Sequence, residues 1–160
     1  MMEDRFVSPE VHYADLSDAH PRVVLEWATS TIDRLAVATS FQASGLVILH
    51  LLRELRPDLP VLFLNTGFHF PETLEFRDRI VDEWDLKLVE LTGAHRTAAE
   101  QDRRYGPELF RRDPDRCCFI NKVEPLQNAL EEFDGWISGL RRDQSPLRAT
   151  TPVVEAQLLP

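Results

Sequence analysis

Leu35-Ala-Val-Ala-Thr39 is a short, continuous apolar run, and the turn-like segment Ser40-Phe-Gln-Ala-Ser-Gly45 follows it directly. Val61-Leu-Phe-Leu-Asn65 is a second run of the same kind. Such runs are typical of strands buried on both faces of a parallel sheet. Further strands are predicted at Leu86–Leu91 and Gly135–Gly139, and helices at roughly Val23–Ile32, Ser44–Leu55, Pro71–Trp84, Thr97–Tyr105 and Val123–Phe133. This alternation predicts an α/β fold, a doubly wound and mainly parallel sheet with helices on both faces.

The length of 160 residues predicts a single domain, residues 1–160, with a substantial core. Residues 1–20 are expected to form an irregular or partly helical segment. Residues 146–160 show no clear amphipathic pattern, and Val153–Leu159 is compatible with an edge strand. The sequence stops at Leu-Leu-Pro, with no later residues to cover these apolar side chains. We therefore expect a domain that is interrupted near its C-terminus.

The charge balance narrows the possible partners. The chain has 18 basic and 27 acidic residues and a net charge of −9, which disfavours binding to nucleic acid or to an anionic membrane surface. Residues 96–148 are neutral, because ten basic and ten acidic residues balance there. No signal-peptide pattern or membrane-spanning apolar run is evident. The two cysteines are adjacent, so they cannot build an ordinary disulfide framework, and a reducing cytoplasm is the expected location.

The segment Ser40–Gly45 lies where an anion site is expected. Ligands of open α/β sheets bind beyond the carboxyl ends of the strands, where loops lead into helices. Free N–H groups at a helix start, together with the hydroxyls of Ser40 and Ser44, can donate to an oxyanion. Taken alone, these six residues also suit an ordinary strand-to-helix turn with Ser44 as the N-cap. Neither of two common phosphate motifs, Gly-x-x-x-x-Gly-Lys-Ser/Thr and Gly-x-Gly-x-x-Gly, is present.

Four short motifs occur in a recognisable order. They are Ser40-Phe-Gln-Ala-Ser-Gly45, Leu64-Asn-Thr-Gly-Phe-His-Phe-Pro-Glu72, Cys117-Cys118 followed by Lys122-Val-Glu-Pro125, and Gly139-Leu-Arg141-Arg142-Asp-Gln-Ser145. In this order the chain resembles the adenylyl-sulfate and phosphoadenylyl-sulfate reductases of the adenine nucleotide alpha hydrolase-like superfamily. The resemblance covers roughly Leu35–Arg148. The adjacent cysteines resemble the iron–sulfur branch, which reduces adenosine 5′-phosphosulfate.

The resemblance implies a set of substrate-binding residues. Ser40–Gly45 corresponds to a phosphate-side loop, Leu64–Gly67 to a loop that lies against the adenosine, and Gly139–Ser145 to a loop whose arginine contacts the phosphosulfate. The implied residues are Ser40, Phe41, Gln42, Ser44, Gly45, Leu64, Asn65, Thr66, Gly67, Lys122, Arg141 and Arg142. Arg141 aligns better than Arg142 with the family arginine. Asn65 replaces the usual aspartate of the family, which removes a charge, and His69 is expected to pack or cap rather than to catalyse.

The resemblance also implies cofactors and partners. Cys117 and Cys118 correspond to two of the four thiolates that hold a 4Fe–4S cluster, and a second Cys-x-x-Cys pair supplies the others. A further cysteine, in a Glu-Cys-Gly segment, attacks the sulfur of the substrate; AMP leaves, and thioredoxin or glutaredoxin then releases sulfite. This chain has only two cysteines, so we expect the cluster to be absent or incomplete and the chain to be inactive alone. Association into a homo-oligomer is also implied.

Three other functions are compatible with parts of this sequence. A phosphoadenylyl-sulfate reductase shares the scaffold but does not need the cysteine pair. An ATP pyrophosphatase or nucleotidyltransferase of the same superfamily uses a Ser-Gly-Gly-x-Asp-Ser loop, and the aspartate is missing here. A noncatalytic adenine-nucleotide-binding module is the remaining alternative, since the nucleophilic cysteine is missing as well.

Overall fold

A computed structural model describes residues 16–157, and this range forms a layered α/β unit. Its strands are β1 (Leu35–Ala38), β2 (Pro60–Leu64), β3 (Lys87–Leu91) and β4 (Gly135–Ser138). Its helices are α1 (Pro21–Thr31), α2 (Ala43–Leu55), α3 (Pro71–Trp84), α4 (Ala98–Tyr105), α5 (Leu109–Arg112), α6 (Pro114–Cys118) and α7 (Glu124–Leu130). A π-helix, Phe119–Val123, joins α6 to α7, and two 3₁₀ turns, Arg142–Gln144 and Pro146–Arg148, follow β4.

The four strands form one parallel sheet in the order β3-β2-β1-β4. The register pairs Val37 with Val61 between β1 and β2, and Val37 with Ile137 between β1 and β4. The chain therefore winds outward from β1 to β3 and then returns to add β4 on the other side of β1. This reversal makes the gap between β1 and β4 a topological switch point. The predicted α/β class and parallel sheet are confirmed.

Helices cover both faces of the sheet because alternate residues of β1 point to opposite faces. Leu35 and Val37 belong to the larger core cluster, which includes residues of α1, α2 and α3. Ala36 belongs to a smaller cluster on the other face, together with Leu62 and Leu130. The apolar runs that predicted β1 and β2 are thus continuous because both of their faces are buried.

An ion pair joins β1 and β4 at their amino ends. The guanidinium of Arg34 donates to both carboxylate oxygens of Asp134, at 3.1 and 2.5 Å. The backbone N–H of Asp134 also donates to the carbonyl of Arg34 at 2.7 Å. The carboxylate raises the pKa of Arg34 above its ordinary value, mainly through these hydrogen bonds. The two strands are therefore anchored at the end opposite to their carboxyl-end loops.

Most predicted element bounds agree with the structure to within two residues, but two segments differ. The predicted helix Val123–Phe133 corresponds to α7, which begins at Glu124 and ends at Leu130, three residues earlier than predicted, and a π-helix that was not predicted precedes it. The edge strand predicted at Val153–Leu159 is wrong for residues 153–157, which form no strand. Pro152 has no N–H for a sheet ladder, and Arg142 Nε holds this part of the chain in a turn through the carbonyl of Thr151 at 2.9 Å.

Two smaller points complete the fold. Residues 1–15 and 158–160 lie outside the described range, so the expectation for the N-terminal segment concerns residues mostly outside it. Within residues 16–157, no helix has the length and apolar character needed to cross a membrane.

Candidate functional site

The loops after β1 and β4 meet at the switch point. A Cβ atom added to Gly139 would lie 2.9 Å from the backbone nitrogen of Gly45 and 3.0 Å from the carbonyl carbon of Ser44. These distances are shorter than real Cβ contacts allow, so the close approach of the two backbones requires glycine at 139. The structure thereby brings together the predicted segments Ser40–Gly45 and Gly139–Ser145.

The turn between β1 and α2 is held by a hydroxyl and a buried ring. Phe41 has a φ of +59°, a left-handed conformation that costs a non-glycine residue about 1–2 kcal/mol. Its N–H donates to Thr39 Oγ1 at 3.0 Å, and its buried ring packs edge-on against Phe63 with centroids 5.8 Å apart. These contacts reverse the chain so that α2 starts directly above the end of β1.

The first turn of α2 presents its backbone donors toward this junction. The N-cap residue is Gln42, whose side chain makes no capping hydrogen bond to the helix. Ser44 lies inside the first helical turn, so the alternative in which Ser44 is the N-cap is wrong. The first intrahelical hydrogen bond runs from Leu46 N to the carbonyl of Gln42 at 2.9 Å, so the N–H groups of residues 43–45 have no acceptor within the helix and carry the positive end of the helix dipole. Ser40 and Gln42 are exposed beside them.

The loop after β2 is a tight turn built from its own side chains. Gly67 N donates to Asn65 Oδ1 at 3.1 Å, and Phe68 N donates to Thr66 Oγ1 at 3.3 Å. Because Asn65 acts here through its side-chain oxygen, the turn does not depend on a carboxylate at this position. His69 Nε2 donates to the carbonyl oxygen of Leu64 at 2.9 Å, and the His69 ring packs against Phe63. His69 therefore has a packing and capping role.

Residues 92–97, the loop after β3, contact both the turn after β2 and the cysteine segment. Gly67 has a φ of +76°, and a Cβ there would lie 2.8 Å from the carbonyl oxygen of Arg96. A Cβ on Gly93 would lie 2.4 Å from the carbonyl oxygen of Ile120 in the π-helix. The N–H of Arg96 donates to Glu100 at 2.7 Å, and this bond lowers the pKa of the Glu100 carboxyl. None of the four sequence motifs includes this loop, although its position after a strand is one where ligand-binding loops occur.

The cysteine segment contains a buried polar cluster that sequence reasoning missed. Cys117 is half-buried and Cys118 is exposed, both at the end of α6. Gln101 Nε2 and Asn121 Nδ2 lie 3.6 and 3.5 Å from Cys117 Sγ, and both amides also contact buried His95. Residues 16–157 contain no group of three or more His, Cys, Asp or Glu side chains placed to hold a metal ion.

The three basic residues predicted to bind the anion, Arg141, Arg142 and Lys122, differ in their present hydrogen-bond and ion-pair partners. Arg141 is exposed and pairs with Asp143 at 2.9 Å, whereas Arg142 Nε donates to the backbone carbonyl of Thr151. The Arg141 backbone N–H also donates to Gln144 Oε1 at 3.1 Å, which shapes the turn after Gly139. Lys122 is exposed in the π-helix, four residues beyond Cys118. Arg141 can exchange its exposed ion pair for a bound anion, while Arg142 would have to leave a backbone partner.

Comparison with known proteins places the chain in a family. The family model of the phosphoadenosine phosphosulfate reductase domain matches residues 34–158, which include every predicted site residue. The chain belongs to this family. A curated adenosine 5′-phosphosulfate reductase of Streptomyces coelicolor is 45% identical over 141 residues, which cover 88% of this chain and 58% of that protein.

Two further relatives carry the name of the 3′-phosphorylated substrate. A phosphoadenosine 5′-phosphosulfate reductase of Gloeobacter violaceus is 40% identical over 86% of this chain and 58% of that protein. The crystal structure of the phosphoadenylyl-sulfate reductase of Candida auris, in a phosphate complex, superposes with a TM-score of 0.79 at 26% identity. That match covers 93% of this chain and 74% of the other. This reductase-family chain spans a little over half the length of the curated relatives it matches.

Proposed function

We propose that this chain is the nucleotide-binding core of an adenylyl-sulfate reductase, and that it binds adenosine 5′-phosphosulfate between β1 and β4. The observation that carries the proposal is the contact of Gly139 with the first turn of α2. That contact sets the arginine loop beside a helix start at a topological switch point, where ligands of open α/β sheets bind. The names of the relatives support the choice of substrate class.

In this proposal the phosphosulfate lies at the start of α2. The N–H groups of residues 43–45 and the hydroxyls of Ser40 and Ser44 donate to its oxygens. Arg141 exchanges its ion pair with Asp143 for the anion, and Lys122 contributes a second positive charge. These groups neutralise the phosphate that leaves as AMP when the sulfur–oxygen bond breaks, so they stabilise the leaving group.

The adenosine lies against the turn after β2. Leu64, Asn65, Thr66 and Gly67 offer backbone N–H and C=O groups to the adenine edge, while Phe41 and Gln42 border the ribose and phosphate side. The left-handed φ of Gly67 and its contact with Arg96 keep this backbone in one conformation. A base can therefore be recognised without a charged side chain at position 65.

Cys117 and Cys118 fit half of the ligand set of a 4Fe–4S cluster. Thiolates are the ligands these clusters require, and the half-buried sulfur of Cys117 already has two N–H groups beside it. When bound, such a cluster would hold the cysteine segment rigid through its thiolate ligands. The two remaining thiolates, the nucleophilic cysteine and the thioredoxin or glutaredoxin reductant belong to the activity proposed for the whole protein, as do a cytoplasmic location and a homo-oligomeric state.

The proposal is tested by calorimetric titration of this chain with four ligands: adenosine 5′-phosphosulfate, its 3′-phosphorylated form, AMP, and ATP with Mg²⁺. We expect preferential binding of adenosine 5′-phosphosulfate and AMP. Preference for the 3′-phosphorylated form would favour a phosphoadenylyl-sulfate reductase instead. Preference for ATP with Mg²⁺, or no nucleotide binding by a folded chain, would refute the proposal.

Arg141→Ala tests the anion contact within that experiment. One charge-assisted hydrogen bond is worth about 1.5–3 kcal/mol, so the dissociation constant for adenosine 5′-phosphosulfate should rise roughly 10- to 100-fold. Adenosine, which lacks the anion, should bind almost unchanged. Arg142→Ala is the matched comparison and should cause the smaller loss, because Arg142 is bound to the carbonyl of Thr151. Equal small losses for both ligands in both variants would instead indicate a generic nucleotide module.

A further inference from the structure

Three side chains form a closed, buried polar cluster beside Cys117. His95, Gln101 and Asn121 are 4%, 0% and 3% exposed, so water does not satisfy their polar atoms. His95 Nε2 lies 2.9 Å from Gln101 Oε1 and 2.8 Å from Asn121 Oδ1, and Asn121 Nδ2 donates to Gln101 Oε1 at 2.7 Å. Burying three polar groups is costly unless their donors and acceptors are matched. The cluster therefore requires a defined arrangement of hydrogen atoms.

His95 determines that arrangement. Both partners of its Nε2 are amide oxygens, which only accept, so Nε2 must carry the proton. Consistently, His95 Nδ1 is buried and has no hydrogen-bond partner within residues 16–157, as suits the unprotonated nitrogen of a neutral ring. With both amide oxygens turned toward the imidazole, both amide nitrogens must turn away from it. Gln101 Nε2 then faces the sulfur of Cys117, and Asn121 Nδ2 lies between Gln101 Oε1 and the Cys117 carbonyl.

The N–H of Gln101 is the donor available to the sulfur, because the two hydrogens of Asn121 Nδ2 go to Gln101 Oε1 at 2.7 Å and to the Cys117 carbonyl at 2.9 Å. Gln101 Nε2 and Asn121 Nδ2 approach Cys117 Sγ from α4 and from the π-helix, at 3.6 and 3.5 Å. Asn121 Nδ2 also donates to the Cys117 carbonyl at 2.9 Å, which fixes the backbone that carries the sulfur. A neutral thiol is a weak acceptor, whereas a thiolate or a metal-bound sulfur carries the negative charge that the Gln101 N–H and the dipole of the Asn121 amide beside it stabilise.

We propose that Gln101 and Asn121, oriented by His95, are positioning residues that hold the Cys117 sulfur in place as a thiolate metal ligand. The inference rests on the ligand role proposed for Cys117. It assigns unequal roles to the adjacent cysteines. The buried cluster fixes the side chain of Cys117, whereas the exposed side chain of Cys118 adjusts its position when the metal binds. Asn121 lies four residues after Cys117, so the helical segment places both side chains on the same side.

The test uses Cd²⁺ as a thiolate probe on the whole reduced chain. At similar volume, Gln101→Met removes the N–H donor to the sulfur, and Asn121→Leu removes the hydrogen bonds that hold Gln101 and the Cys117 carbonyl. Loss of such an outer partner typically weakens metal binding about 10- to 100-fold, so the Cd²⁺ dissociation constant should rise by that factor. The thiolate-to-Cd²⁺ absorption band should move to lower energy, because fewer N–H groups stabilise the sulfur lone pairs. Asn128→Leu, an exposed amide on α7, is the matched control and should bind like the parent.

A second measurement needs no substitution and does not depend on variant folding. In the ¹⁵N spectrum of the parent chain, the side-chain amide signals of Gln101 and Asn121 should shift when Cd²⁺ is added, while the Asn128 amide should not. Parent-like affinity and absorption in both folded variants, or unmoved Gln101 and Asn121 signals, would overturn the inference. Those results together with normal nucleotide binding would leave the proposed function intact, whereas a chain that binds no nucleotide but shows the expected Cd²⁺ effects would refute only the proposed function.

Discussion

Gly45→Ala tests the turn that sets the start of α2. A Cβ at this position would lie 2.3 Å from Thr39 Oγ1, where ordinary contact begins at 3.4 Å. The Thr39 hydroxyl must therefore move by about 1 Å, which breaks its hydrogen bond from the Phe41 N–H. Overpacking costs about 1–3 kcal/mol and the lost hydrogen bond about 1 kcal/mol, while alanine returns up to about 1 kcal/mol of helix propensity. The net loss of unfolding free energy should be about 1–3 kcal/mol.

A double-mutant cycle with Thr39→Ala isolates the cause. Thr39→Ala alone should cost about 1 kcal/mol, from the hydrogen bond to Phe41. With Oγ1 removed, the nearest Thr39 atom to the new Cβ is Cβ at 3.5 Å, an ordinary contact. Adding Gly45→Ala to Thr39→Ala should then be neutral or slightly stabilising, which gives a coupling energy of about 2 kcal/mol.

Urea unfolding, followed by the fluorescence of the core-packed Trp27 and Trp84, measures all four chains. Gly45→Ala combined with Thr39→Ser is the matched control, because serine keeps the hydroxyl and should keep the clash. Unfolding free energies that add to within about 0.5 kcal/mol would refute this account of the turn. So would rescue by Thr39→Ser equal to rescue by Thr39→Ala.

Three further predictions concern other contacts. Gly139→Ala places a Cβ against the backbone of residues 44 and 45, which cannot yield as a side chain would, so calorimetry should show phosphosulfate binding weakened by about 1–3 kcal/mol and adenosine binding weakened less. Glu100→Gln should make folding stability less sensitive to acid. The pKa of Glu100 is lowered in the folded chain, so the ionised carboxylate stabilises the fold fully above its ordinary pKa of 4.5. This stabilisation is lost as the pH falls through the lower pKa of the folded state. The melting-temperature advantage of the parent over this variant should therefore shrink in that acidic range, and an advantage that is constant with pH would contradict the assignment. Arg77→Met should cost about 1–2 kcal/mol in urea unfolding, because it removes the ion pairs with Glu90 at 2.6 Å and Asp78 at 2.7 Å but keeps an apolar side chain over Phe63; an unchanged midpoint would show that these pairs contribute nothing.

The central strands and long helices could be predicted because local sequence signals and tertiary structure agree there. β1 and β2 are continuously apolar since both faces are buried, and α3 begins at Pro71, a residue suited to a first helical turn. Short helices α5 and α6 and the π-helix give no such signal, because segments of four or five residues do not establish a hydrophobic period.

The candidate site was only partly predictable for a related reason. The loops of the site follow parallel strands, so they lie at one edge of the sheet, and the strand order decides which of them are neighbours. The sequence motifs in these loops predicted the individual binding residues. The cluster of His95, Gln101 and Asn121 joins residues up to 26 positions apart through side-chain contacts, and no local pattern encodes such a match. Their residue types are common on helix surfaces, and only burial distinguishes them.

The late return of β4 to the side of β1 has a consequence for how the molecule forms. Arg34 and Asp134 are separated by 100 positions, so closing this pair carries a loop entropy cost of about 4 kcal/mol before any contact is gained. Strands β1 to β3 and their helices can assemble earlier through shorter loops. A chain emerging from the ribosome thus has the turn after β2 before it has the proposed anion site, because Gly139 reaches α2 only after the last strand has joined. Ligand can therefore stabilise the finished fold but cannot guide its early steps.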